Sequence, residues 1–95
     1  MADTTPMATI SVHYWAGARA AAGVEMERFE ANSVAAALQQ AREVRADSRF
    51  DRVLSVSSVL VDGLVAHADD LTRPVNGAVR VEILPPFAGG QDEGQ

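Results

Sequence analysis

One stretch of this chain is spaced like a long amphipathic helix, and its surroundings are not. Val34, Leu38, Ala41 and Val44 are separated by 4, 3 and 3 residues, the stripe of a helix with one apolar face. Ser33 precedes the stripe, where a side-chain oxygen can accept a hydrogen bond from an otherwise orphaned first-turn amide. Gln39, Gln40, Arg42, Glu43 and Arg45 fall on the wet side of a helix over residues 33–46. Elsewhere the period is 2. Ala8, Ile10, Val12 and Tyr14 alternate with Thr9, Ser11 and His13, the pattern of a half-buried strand. Val79, Val81 and Ile83 alternate with Arg80 and Glu82 in the same way. A single main helix among strands must lie across one face of a sheet, because each needs the other to cover its apolar side.

The segments between refine this frame. The two glycines of "AGARAAAG" (16–23) break the first strand. Val24 and Met26 then alternate with Glu25 and Glu27 as a second strand, and Phe29 falls out of phase, as at a bulge or strand end. The closeness of these two strands predicts an antiparallel pair. "RFDRVLSVSS" (49–58) is ambiguous: Phe50 and Leu54 can pack under a loop or a short helical turn. In "VLVDGLVA" (59–66) two apolar triplets flank Asp62-Gly63, a dipeptide suited to the positive φ of a tight hairpin. "HADDLTRPVNG" (67–77) reads as a polar connection with a turn at Asn76-Gly77. The element order is β-β-α-β-β-β. The expected fold class is α+β, a β-grasp (ubiquitin-like) roll with a mixed sheet. The expected organisation is a loose arm over 1–7, a domain over 8–84, an extended segment over 85–90 and a tail over 91–95.

Composition removes several functions. The 95 residues hold no cysteine, which excludes thiolate nucleophiles, thiolate zinc sites and disulfides within them. A net charge of −5 argues against nucleic acid, which selects clustered positive charge. All eight basic residues are arginines, so the chain has no side-chain amine to acylate. No apolar run approaches the ~18 residues of a membrane span. The opening "MADTTPM" is polar and acidic, unlike a secretory signal, and a cytoplasmic location is expected. His13 and His67 lack the companions of a metal site, and no metal or bound cofactor is expected. Asp69-Asp70 reads as a solvated loop or a helix N-terminus. Ser55, Ser57 and Ser58 have no recognisable base near them. "GARAAAG" lacks the spacing of a dinucleotide loop. Trp15 is expected to be partly buried at the end of the first strand, with a possible role in partner contact. Nothing here assembles a catalytic pocket, so the chain is not expected to be an enzyme alone.

"PPFAGG" (85–90) carries what remains. Pro85 and Pro86 end the last strand, since neither can donate to a ladder, and they hold the following chain extended. Six residues from Pro85 to Gly90 reach roughly 20 Å at about 3.3 Å each. Gly89 and Gly90 have no side chains, so the backbone fits a channel too narrow for larger residues. A rigid body with a stiff boom and a slim tip suits delivery of a chain end into another protein's active site. Phe87, with Pro85, Pro86 and Ala88, is the expected partner-binding segment.

Residues 8–90 resemble the MoaD/ThiS family of ubiquitin-like sulfur carriers, and within it the MoaD branch, small subunits of molybdopterin synthase. "YWAGARAAAG" (14–23) is similar to the family's first strand and loop, with Trp15, Ala16, Arg19 and Gly23 in matching places. "SVAAALQQA" (33–41) resembles its helix start. "VLVDGLVA" resembles its hairpin, with Asp62 where the family has Asn. "ILPPFAGG" (83–90) resembles its hallmark ending. The resemblance implies that a MoeB/ThiF-type adenylating enzyme uses ATP to activate the Gly90 carboxylate. Sulfur then displaces AMP to give a Gly90 thiocarboxylate, with Gly89 beside it. The implied acceptor partner is the MoaE-type large subunit of molybdopterin synthase, where sulfur builds the dithiolene of molybdopterin, part of the molybdenum cofactor. Other sulfur destinations, such as thiazole or cysteine synthesis, belong to the same family. A β-grasp module that binds partners without covalent chemistry is the alternative from a different class. One departure is plain: the family's functional form ends at the second glycine, whereas here Gln91 to Gln95 follow. Gly90 then bears an amide, which cannot be adenylated. A tail removed by a protease is expected. A terminus foreign to the natural chain, or a retained tail with the sulfur chemistry lost, are the other readings.

Overall fold

A computed structural model describes residues 7–86 of the chain. The elements run β1 (Ala8–Tyr14), α1 (Ala16–Ala22), β2 (Met26–Ala31), α2 (Val34–Arg45), α3 (Ser48–Val56), β3 (Ser58–Val61), β4 (Leu64–Ala66), α4 (Ala68–Leu71) and β5 (Gly77–Leu84). The five strands form one sheet in the order β2-β1-β5-β3-β4. β1 pairs antiparallel with β2, from Ala8 opposite Ala31 to His13 opposite Met26. β1 pairs parallel with β5, from Ala8 opposite Gly77 to Tyr14 opposite Ile83. β5 and β4 each lie antiparallel to β3. The sheet is therefore mixed, with the last strand at its centre, and the fold is the expected α+β β-grasp roll.

The alternation of β1 and β5 decides which face is covered. Ala8, Ile10, Val12, Tyr14, Val79, Val81 and Ile83 are all buried. They share one core with Ala18 of α1, Val34, Ala37, Leu38 and Ala41 of α2, and Phe50 and Leu54 of α3. Ser33 caps α2 as expected, its hydroxyl accepting from the Ala36 amide at 3.1 Å. The Asp62-Gly63 turn also forms as expected, with φ of 50° and 88°, so both residues sit in the left-handed region that a two-residue hairpin requires. Asp62 is bound on both sides by the neighbouring strand. Its amide donates to the Arg80 carbonyl at 2.7 Å, and its carboxylate accepts from the Arg80 amide at 2.9 Å.

Several expectations give way. Residues 16–23 hold a helix, not only a loop: Gly23, at φ 82°, closes α1 by donating its amide to the Arg19 carbonyl at 2.9 Å. The ambiguous stretch is helix α3, capped by Asp47 accepting from the Arg49 amide. The polar connection contains the single turn α4, where Asp70 accepts from the His67 amide at 2.9 Å, so Asp69-Asp70 lie at a helix N-terminus. β2 has no bulge. Its core-facing set is Glu27, Phe29 and Ala31, and Met26 points to the open face. The inward face of β2 is therefore shifted by one residue from the expected alternation.

The α2 stripe also departs from expectation at its end. Val44 is 70% exposed, and Arg45, expected on the wet side, turns inward. Both lie one turn from Ala41, and Glu27 decides between them. The Arg45 guanidinium reaches the Glu27 carboxylate at 2.8 Å and donates to the Ala22 carbonyl at 3.0 Å. It also lies over the Phe50 ring at 4.7 Å and the Tyr14 ring at 5.6 Å, where the negative ring faces favour a cation. The Tyr14 hydroxyl donates to Glu27 at 2.8 Å. Burial, then the hydrogen bond to Glu27, hold that hydroxyl well above the ordinary phenol pKa. One arginine thereby joins α1, α2, α3 and β2.

Candidate functional site

The segment singled out by the sequence leaves the sheet from its centre. β5 ends at Leu84, opposite Ser58 of β3. On its other side the Trp15 amide donates to the Ile83 carbonyl at 3.2 Å. The base of the segment is thus held between two strands up to the residue before Pro85. Pro85 is half-buried and Pro86 exposed. Phe87, Ala88, Gly89 and Gly90, and the tail 91–95, lie outside the described residues.

The other side of the launch point is the corner where β1 becomes α1. Trp15 is extended, at φ −117° and ψ 149°, and Ala16 turns the chain with a φ of 48°. That left-handed value is uncommon for a residue with a side chain, and it swings α1 back beside the end of β5. A Cβ built on Gly17 would stand 4.0 Å from Pro85 Cγ, so the first turn of α1 touches the base of the segment. Trp15 is 46% exposed, the partial burial expected of it. Below it opens a cleft of about 290 Å³, lined by His13, Tyr14, Trp15, Arg19, Glu25 and Met26. Arg19 and Glu25 form a solvent-exposed ion pair at 2.6 Å across its mouth.

The open face of the sheet continues from this corner. Strand register places Met26, His13, Glu82, Leu60 and Val65 in one row across all five strands. The row is apolar at both ends and polar in the middle. Val65 is 61% exposed and Met26 37%. The next row toward the start of β5 holds Arg28, Ser11 and Arg80. Arg80 pairs with Glu82 at 3.0 Å. The sequence alone does not assemble this face, because its β2 edge, Met26 and Arg28, depends on the phase of that strand, and the two apolar triplets around Asp62-Gly63 do not reveal which residues point outward.

The remaining candidates stay apart. His13 lies in β1 on the open face, and His67 caps α4 beyond β4, with β5 and β3 between them. No group of three or more His, Asp or Glu able to hold a metal exists among the described residues. No described helix is long and apolar enough to cross a membrane. Ser55 and Ser57 donate to backbone carbonyls of their own helix. What the described residues offer is a pinned launch point, an aromatic corner and an uncovered sheet face, with no cluster of catalytic groups.

Solved structures share this architecture. Small archaeal modifier protein 1 of Methanosarcina acetivorans matches with a TM-score of 0.73 at 21% identity, over 90% of this chain and 100% of that one. Small archaeal modifier protein 1 of Haloferax volcanii matches with a TM-score of 0.66 at 22% identity, over 86% and 99%. The complex of subunits 1 and 2 of the molybdopterin-converting factor of Helicobacter pylori contains a chain matching with a TM-score of 0.59 at 17% identity, over 86% and 99%. No protein-family model matches the sequence, and no match to it was found among curated proteins. The described residues share the fold of these small modifier proteins and of a chain in the molybdopterin-converting factor complex.

Proposed function

We propose that this chain is a ubiquitin-like sulfur carrier, that Gly90 becomes its terminus, and that its sulfur serves molybdopterin synthesis. The observation that carries this reading is the position of "PPFAGG". It leaves the central strand of the sheet, its base is gripped by Trp15 and β3, and it ends in two residues without side chains. The likeness in fold to a molybdopterin-converting factor subunit supports it.

The chemistry follows from the needs of a carboxylate. Its negative charge resists nucleophiles, so it must first be activated. An oxygen of Gly90 attacks the α-phosphorus of ATP in a partner enzyme, an O–P bond forms, and pyrophosphate leaves. Hydrosulfide, or sulfur of that oxidation level held by the partner, then attacks the acyl carbon. A C–S bond forms, AMP leaves, and a proton passes to solvent. The Gly90 thiocarboxylate next enters a MoaE-type large subunit and gives its sulfur to the pterin precursor. A protease removes residues 91–95 beforehand. The body contributes grip: Trp15, Met26, Leu60 and Val65 give a partner apolar contact, and Arg28, Arg80 and Glu82 give it register.

A second reading rests on the likeness to small archaeal modifier proteins. There the activated Gly90 carboxyl passes to an amine of another protein instead of to sulfur. Reconstitution separates the two. A chain stopped after Gly90 is incubated with the adenylating enzyme of its own source organism, ATP and sulfide, and its intact mass is measured. The carrier reading predicts replacement of one oxygen by sulfur. A chain that is adenylated but forms only amides contradicts it.

A further inference from the structure

The register of β1 and β2 fixes which backbone groups of β2 face outward. The Tyr14 amide donates to the Glu25 carbonyl at 2.9 Å, and hydrogen-bonded pairs alternate along an antiparallel ladder. Glu25, Glu27, Phe29 and Ala31 therefore turn their N–H and C=O groups toward β1. Those of Met26, Arg28 and Glu30 point away from it, and β2 is an edge of the sheet. The Gln40 side-chain amide closes one end of that edge by donating to the Glu30 carbonyl at 3.0 Å. No described residue is hydrogen-bonded to the outward N–H and C=O groups of Met26 and Arg28. The other edge offers less. Val61 and Leu64 close the two-residue Asp62-Gly63 turn as a hydrogen-bonded pair, so Val65 alone in β4 turns its backbone groups outward.

A groove runs beside this open edge. α2 lies antiparallel to β2 along it, with Gln40 level with Glu30 and Arg45 reaching Glu27 at 2.8 Å. Val44 is one turn beyond Gln40 on the same side of the helix. A turn of about 5.4 Å nearly matches two strand residues of about 3.4 Å each, which brings Val44 level with Arg28. Val44 is exposed there, an apolar side chain beside unpaired backbone. The Arg28 side chain points to the open face of the sheet and has no ion-pair partner among the described residues. The carboxylates around it are engaged elsewhere: Glu25 with Arg19, Glu27 with Arg45, and Glu30 with the Thr9 hydroxyl at 2.8 Å. We propose that this edge receives an extended segment of a partner protein as a further strand, antiparallel to β2, with a carboxylate opposite Arg28 and β-branched apolar residues on either side of it. Met26 and Arg28 supply the backbone pairing, and the Arg28 guanidinium meets the carboxylate. By strand alternation the residues flanking that carboxylate turn to the α2 side, where they cover Val44.

The test titrates the isotope-labelled full chain with an acetylated, amidated peptide, Gly-Ser-Leu-Val-Glu-Val-Ser, and follows its amides by NMR. At millimolar peptide the shifts are expected to saturate and to concentrate between Met26 and Glu30 and at Val44. The same peptide methylated on the backbone nitrogen of its Glu lacks the donor that faces the Arg28 carbonyl, and should not bind. Arg28→Glu should weaken binding of the unmethylated peptide by about fivefold or more, since a cross-strand ion pair becomes a like-charge pair. A peptide with Lys in place of Glu should restore it. Arg28 is exposed, so Arg28→Glu should melt with the parent. Absence of saturable shifts overturns the proposal. So do equal binding by the methylated peptide, equal affinity of Arg28→Glu for the two charge forms, and shifts centred on Val65 of β4. The same amides shifting as the chain alone is concentrated would assign the edge to a second copy, and would overturn it as well.

Discussion

The 95-residue chain is expected to support no ATP–pyrophosphate exchange with its adenylating enzyme, whereas the chain stopped after Gly90 supports it fully. Adenylation needs a free carboxylate at the tip of the segment. In the longer chain Gly90 is joined to Gln91, and an amide oxygen carries no charge with which to attack the α-phosphate. Asp92 and Glu93 add two negative charges just beyond the tip, and a site that binds ATP phosphates disfavours them. Gly90→Ala in the shortened form should lower exchange by about tenfold or more, the size of a misplacement at a reacting centre. Its binding to the enzyme should change little, because the body that docks is untouched. Equal exchange by both lengths, with no protease present, would show that the tail is no barrier.

Leu38→Asp is expected to cost about 4 kcal/mol, the lost burial of a leucine together with the desolvation of a carboxylate. Leu38 lies on the covered face of α2 beside Ala37 and Ala41, 7% exposed. A domain of this size has total stability of roughly 4–12 kcal/mol, so the melting temperature should fall by roughly 15–30 °C. Val44→Asp provides the contrast. Both residues belong to the apolar stripe drawn from the sequence, but Val44 is 70% exposed, and its replacement should alter stability by less than about 0.5 kcal/mol. Thermal unfolding followed by circular dichroism compares them. A Leu38→Asp protein that melts with the parent would mean that α2 presents another face to the sheet.

That contrast shows what spacing can and cannot decide. Positions 44 and 45 both continue the α2 stripe from Ala41, and apolar character favoured Val44. The choice fell to Arg45 because Glu27 comes up on the core side of β2 and needs a cation, a contact between residues 18 apart. In the sequence, the alternation of Val24 and Met26 with Glu25 and Glu27 points Glu27 outward. Counting back from Phe29 and Ala31 would have set the phase of β2 correctly and placed Met26 on the open face. β1 and β5 were legible because each alternates without interruption and is buried on one side only. α1 was hidden by its glycines, one of which, Gly23, caps the helix. The pairing that matters most for the candidate site, β5 parallel to β1, joins residues about 70 apart along the chain. Alternation within either strand is blind to it. The segment itself was legible because its meaning is chemical: two prolines and two glycines beyond a strand describe reach and slimness in any fold.

Under the proposed function, Gly90 carries sulfur. The most direct test is the intact mass of this protein purified from its own cells under non-reducing conditions at neutral pH. A sulfur carrier gives a chain ending at Gly90, with a fraction in which one carboxyl oxygen is replaced by sulfur, and that fraction is lost when the adenylating enzyme is deleted. A population that retains residues 91–95 in every growth condition and carries no sulfur at its terminus would contradict it.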